Sequence, residues 1–175
     1  MGLTLGVNAI TGEKIPFWFS KTDSKALLGQ LMTYYSYMNY GEYKPEYSWF
    51  GLVALLKHFE IDLTLLLNLA ERGEEEPIES FVAREPSEER IQLWHKLHAE
   101  RIEREEKSWQ DPILLIGAIK PLLKALDETP NIFSLLGITD QYFIDGYFRS
   151  DIEDLLKMLE WTHNMGIEKV QINMG

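Results

Sequence analysis

The most apolar stretch of the chain runs from residue 111 to 127, Asp-Pro-Ile-Leu-Leu-Ile-Gly-Ala-Ile-Lys-Pro-Leu-Leu-Lys-Ala-Leu-Asp. At about 100° per residue, Lys120, Lys124 and Asp127 share one narrow stripe while leucines and isoleucines cover most of the remaining circumference. That pattern predicts a central helix buried on most sides, with the other elements packed around it. Asp111 stands at the N-cap position and Pro112 at the first helical position, where a missing N–H costs nothing. Pro121 lacks the donor that would reach Gly117 and pushes Lys120 away from helical angles, which predicts a kink or break there.

Ahead of this helix the period changes several times. Residues 3–10 and 14–20 are rich in β-formers and flank Thr11-Gly12-Glu13, predicting an N-terminal hairpin whose second strand, interrupted by Pro16, lies at a sheet edge or is partly irregular. From Ser24, Leu27, Leu28, Leu31, Tyr35 and Met38 fall on one face of a helix that Gly41 stops. A loop around Pro45 follows. Ser48 then caps a helix to residue 59 with Leu52, Val53, Leu56 and Phe59 inward, and a second leucine-rich helix spans 62–72, ending before Gly73. Residues 73–77 form a charged connector and 78–86 a loop. Ser87 caps the longest helix, to residue 109, with Glu88 and Glu89 suited to the positive end of its dipole. Its inner face reads Ile91, Trp94, His98, Ile102 and Trp109, and the i,i+4 pairs Glu100–Arg104 and Glu103–Lys107 mark an exposed outer face.

After the central helix, Thr129-Pro130 is a break and residues 132–136 a helical turn. Residues 141–148 read as an aromatic strand, with Asp145-Gly146 an alternative tight turn within it. Ser150-Asp-Ile-Glu153 is a capping box opening a helix that ends at Gly166, and residues 168–173 form a last strand. Strand, helix and strand suit a parallel pair with a right-handed crossover. The expected fold is α+β: one domain over residues 1–175, with a small sheet from the N-terminal hairpin and the C-terminal strands packed against a mainly helical middle.

Composition narrows the function classes. A chain of 175 residues buries roughly two thirds of its unfolded surface as one domain and needs no staples. The lack of cysteine removes disulfides, thiolate nucleophiles and thiolate metal sites and fits a reducing, cytoplasmic setting. The start Met-Gly-Leu-Thr-Leu-Gly has neither the basic opening nor the long apolar run of a signal peptide, and Gly6 occupies the place where myristoylation wants Ser or Thr. The longest uncharged apolar run, 113–119, falls far short of the roughly 20 residues that span a bilayer, so no membrane association is expected. With 17 Lys and Arg against 28 Asp and Glu, the net charge of −11 argues against a nucleic-acid surface. The excess is concentrated: residues 1–70 hold five Lys against six acidic residues, whereas 71–90 hold eight Glu against three Arg.

Three features invite a chemical reading. His95 and His98, three apart on a helix, share a face and could reach one metal ion, but the Glu and i+4 spacing of a zincin helix is missing. A hydrogen-bonded histidine on an apolar face is the simpler reading, and no metal or cofactor is expected. Eight of the chain's aromatics, Tyr34, Tyr35, Tyr37, Tyr40, Tyr43, Tyr47, Trp49 and Phe50, crowd into residues 34–50. Tyr34 and Tyr35 point with the leucines, while Tyr37, Tyr40, Tyr43 and Tyr47 lie off that face or in the loop, where tyrosines pack, anchor interfaces or stack on a sugar or small molecule. Finally, Glu74, Glu75, Glu76 and Glu79 belong to a glutamate run that is either a solvated loop or an acidic surface steering a basic partner. The catalytic templates are absent: there is no Gly-x-Ser-x-Gly, no phosphate-binding Gly-rich loop, and no Ser, His and Asp context. The residues point to a non-enzymatic acidic protein, an inhibitor, immunity-like protein or adaptor. It would bind a basic protein through Tyr37, Tyr40, Tyr43, Tyr47, Glu74, Glu75, Glu76 and Glu79. The rival is a small-ligand-binding protein or metal-assisted hydrolase whose pocket joins His95 and His98 to the tyrosines.

Overall fold

The computed structural model describes residues 5–9, 24–70 and 75–174. The chain is mainly helical with a small antiparallel sheet. In order it runs β1 (Leu5–Ala9), α1 (Ser24–Tyr40), a 3₁₀ turn (Ser48–Phe50), α2 (Gly51–Phe59), a second 3₁₀ turn (Thr64–Leu67), α3 (Ile78–Ala83), α4 (Glu88–Ser108) and β2 (Trp109–Gln110). It continues through α5 (Pro112–Glu128), α6 (Ile132–Leu135), α7 (Gln141–Ile144) and α8 (Tyr147–Asn164) to β3 (Val170–Met174). β3 lies in the middle of the sheet, antiparallel to β1 on one side and to β2 on the other. The second strand expected at 14–20 lies outside the described residues, as does the loop before it.

The sheet corrects the expected topology. Among the described residues no parallel pair forms, because 141–148 is not a strand. Asp140 Oδ1 accepts from the N–H of Tyr142 at 3.0 Å and caps α7, and Gly146, at φ 85°, turns the chain into α8. Tyr142, Phe143 and Phe148 are all buried. Alternation would have sent 142 and 143 to opposite faces, so the aromatic content that suggested a strand belongs to two helical segments that share one interior. The capping box at Ser150 is likewise not used, since α8 already begins at Tyr147 and the Ser150 N–H donates to the Gly146 carbonyl at 3.0 Å.

One core binds α1, α2, α5, α8 and β3, with Leu27, Leu52, Leu115, Ile119, Leu155 and Val170 fully buried in it. α5 packs along α8, as the apolar pattern demanded. Asp111 caps it, accepting from the Ile113 N–H at 2.9 Å. It runs through Pro121 without a break. Gly117 and Pro121 both face solvent, so water can take the carbonyl that proline leaves unbonded, while buried Leu115, Ile119 and Leu122 hold the inner side in register.

Elsewhere the inward faces differ by one position or more. On α1 it is Tyr34 that is buried, beside Leu27, Leu28 and Leu31, whereas Tyr35 and Met38 are exposed. Burial pushes the Tyr34 phenol above its ordinary range, with a hydrogen bond to Leu63 backbone pulling the other way. Ser48 does not cap α2; the buried amide of Gln30 does that work across the helix pair, accepting from the Leu52 N–H at 3.0 Å and donating to the Ser48 carbonyl at 3.3 Å. The helix expected over 62–72 reduces to the single turn Thr64–Leu67 among described residues, set by Asp62, whose Oδ1 accepts from the Thr64 N–H at 2.8 Å. Hydrogen bonding from the Thr64 side chain, and after it from this N–H, holds the Asp62 carboxyl below its usual range.

Residues 78–86, expected as loop, contain α3. α4 starts where predicted, with Ser87 Oγ accepting from the Arg90 N–H at 3.2 Å. It lies outside the hydrophobic core, however, and of the expected inner face Trp94 and His98 are half-buried against the connector. Ile91 and Ile102 are exposed and only Ser108 is buried, so the expected stripe through Ile91, Trp94, His98 and Ile102 does not enter the core. The base of α4 is fixed to the sheet instead, through Gln171 of β3, whose Nε2 donates to Glu105 Oε1 at 2.8 Å and to Ser108 Oγ at 2.9 Å.

Candidate functional site

The aromatic segment becomes a built surface. α1 ends as Gly41, at φ 70°, donates its N–H to the Tyr37 carbonyl at 2.8 Å. The chain then turns at residues 44–47, with the Tyr47 N–H donating to the Lys44 carbonyl at 3.1 Å. Phe50 is buried and anchors the segment. Tyr43 meets Phe50 edge to face at 5.7 Å and Tyr37 at 6.1 Å, and Lys57 lies over both tyrosine rings at 4.9 and 5.2 Å from their centres. Its ammonium also donates to the Tyr37 hydroxyl at 3.2 Å. Tyr37 and Tyr43 therefore support the loop from within.

Tyr47 and Trp49 do the opposite. Their rings stack at 4.5 Å with only 7° between planes, and they stay 42% and 50% exposed. Extended backbone at Tyr47, φ −98° and ψ 133°, followed by the 3₁₀ turn, puts residues two apart on the same side. The pair stands at a cleft of about 310 Å³ lined by Tyr43, Pro45, Glu46, Tyr47 and Trp49, with residues 136–139 as the facing wall. Ala54 of α2 also lines it. Tyr40 does not line it; it ends α1 at 75% exposure.

The acidic connector is occupied within the molecule. Glu75 Oε2 pairs with His98 Nδ1 at 2.6 Å, and the Trp94 ring stacks on His98 at 4.8 Å and 9°. The Trp94 indole N–H donates to the Glu76 carbonyl at 2.9 Å, while the Glu76 carboxylate holds Arg84 at 2.7 Å. Arg90 donates to the Phe81 carbonyl at 2.6 Å and covers the Phe81 ring at 4.3 Å. His95 is exposed, edge-on to Trp94 at 5.3 Å. Glu79 is exposed on α3, and Glu74 lies outside the described residues. Two of the four glutamates thus brace α3 and the connector against α4.

The structure does not bring the two candidate regions together. No hydrogen bond, ion pair or ring contact among the described residues joins the tyrosines to α3 or α4. The cleft takes its second wall from 136–139, and His95 and His98 stand outside it. Among the described residues no group of three or more His, Asp or Glu is placed to hold a metal ion, and no helix is long and apolar enough to cross a membrane. Sequence reasoning named Tyr43 and Tyr47 but passed over Trp49 as a site residue. It also had no means of finding the facing wall, 85 or more residues away in the chain. The chain matches no known family model, no curated protein and no solved structure.

Proposed function

We propose that this protein is a non-enzymatic binding protein that docks a basic segment of another protein in the cleft beside Tyr47 and Trp49. The observation that carries the reading is the half-exposed stacked pair at the rim of that cleft. Large aromatic rings left in water beside a concave surface are the side chains that most often anchor interfaces. Their faces favour a guanidinium or ammonium group, and exposed Glu46 in the same cleft offers such a group a countercharge. The net charge of −11 adds long-range attraction for a basic partner. Glu79, with Glu74, then contributes charge at a distance, and Glu75 and Glu76 serve mainly to hold the connector.

The test is calorimetric titration with synthetic extended peptides that carry Arg, Lys or only uncharged residues. Basic peptides are expected to bind, more weakly as salt is raised. A Tyr47→Ala, Trp49→Ala variant is expected to lose about 2 kcal/mol, roughly 30-fold in Kd, because desolvated aromatic anchors carry more binding energy than rim charges. Equal affinity of the folded variant, or uncharged peptides binding as well as basic ones, would remove the cleft or the charge from the reading.

A further inference from the structure

We infer that the cleft beside Tyr47 and Trp49 selects an arginine side chain over a lysine, and that Glu46 is the residue that makes the distinction. The inference rests on the binding role proposed for this cleft and names the group recognised there. Among the described residues, Glu46 is the one charged side chain lining the cleft, and its carboxylate has no ion-pair or hydrogen-bond partner. The facing wall adds acceptors while its donors are engaged. Leu136, Gly137 and Ile138 donate their N–H groups to the carbonyls of Ile132, Ser134 and Phe133 at 2.9, 3.2 and 2.8 Å. Their own carbonyls accept no hydrogen bond from any described residue. A polar ligand group between Glu46 and these three residues is therefore held through donors of its own.

The rings narrow the choice of donor. In the parallel stack of Tyr47 and Trp49 each ring covers one face of the other, so a ligand meets a single outer face of either ring. The other aromatics at the cleft are engaged: Phe50 is buried, and Lys57 lies 4.9 Å from the centre of the Tyr43 ring. Several rings turned toward one another would make a cage for a quaternary ammonium, and this arrangement is not one. A guanidinium is flat and weakly hydrated, and it stacks on one ring face. Its five N–H donors can meet a carboxylate in pairs and still reach neighbouring carbonyls. The lysine ammonium has three donors, no plane to lay on a ring and a tighter hydration shell.

Calorimetric titration of the full chain tests this with capped, otherwise uncharged peptides that differ at one central position. That position carries arginine, lysine, trimethyl-lysine or citrulline, the uncharged isostere of arginine. The arginine peptide is expected to bind about tenfold more tightly than the lysine peptide, with trimethyl-lysine and citrulline no better than lysine. Glu46 is exposed, so Glu46→Gln should leave the circular dichroism unchanged. It should weaken the arginine peptide about tenfold and the lysine peptide less, because glutamine cannot accept a paired contact. Lysine or trimethyl-lysine binding as tightly as arginine, or Glu46→Gln weakening both peptides by one factor, would overturn the inference. Either result, with binding still lost in the Tyr47→Ala, Trp49→Ala variant, leaves the docking role of the cleft in place. If no basic peptide binds the wild type, the proposed function fails and this inference fails with it.

Discussion

Single residues decide how the first half of the chain meets the second. Gly51 begins α2 with the ring of Phe143 directly over it: a Cβ built at Gly51 would lie 2.6 Å from Phe143 Cζ. Phe143 is itself buried and touches Phe133 and Phe148, so its ring has little room to withdraw. Gly51→Ala is therefore expected to destabilise by about 1–3 kcal/mol, as overpacking does, although alanine is the better helix former. A chemical-denaturation midpoint unchanged or raised in that variant would mean the ring moves freely. At this scale the sequence is informative about caps and poor about contacts. Asp111, Ser87 and Gly41 act locally and could be placed from their neighbours alone. Gly51 reads as an ordinary glycine, and Gln30 as an ordinary polar residue on a helix, because the groups that explain them lie 92 and 22 residues away. The same limit applied at the cleft. Tyr47 was visible as a loop tyrosine, but its pairing with Trp49 depends on the backbone turn between them.

Elements were legible where one periodicity persisted and nothing competed with it. α5 shows this best. Seventeen residues with a nearly continuous apolar circumference predicted a central helix, and Leu115, Ile119 and Leu122 are completely buried. Ile113 and Leu114 in its first turn are nevertheless 50% and 55% exposed, so the helix is central by its middle and not by its start. Leu115→Ala is expected to cost about 2–5 kcal/mol, the sum of lost transfer and an incompletely collapsed cavity, whereas Leu114→Ala one position earlier should stay within about 0.5 kcal/mol. Thermal or denaturant unfolding of the pair checks this, and comparable losses at both sites would contradict the burial. Short elements were read less well. Gln141–Ile144 is four residues, too few to show a helical period, so aromatic content prevailed and gave a strand. In α4 the period was present but it did not lead to the core, because amphipathic spacing says that a face is apolar and not which part of the chain lies against it.

At the scale of the whole molecule, β3 is one joint between the helical body and α4 among the described residues, and that joint is asymmetric. Val170 and Ile172 face the body core, while Gln171 between them bonds Glu105 and Ser108 at the foot of α4. Strand alternation thus gives one side of β3 to each part. Since no side chain of α4 belongs to the core, α4 should open as a unit of its own, with a free energy below that of global unfolding. Two substitutions separate this from a single cooperative structure, by hydrogen exchange. Leu115→Ala weakens contacts that survive when α4 alone opens, so amides of α5 and α8 should exchange faster while those of α4 do not change. Gln171→Leu removes bonds that are lost in both openings and leaves the buried Ser108 hydroxyl without that donor, at a cost of about 1–3 kcal/mol. α4 amides should then exchange faster together with those of the body. If Leu115→Ala accelerates α4 by the same factor as α5, the two parts unfold together. The exposed apolar residues of α4 would then be held by the body despite lying outside its core.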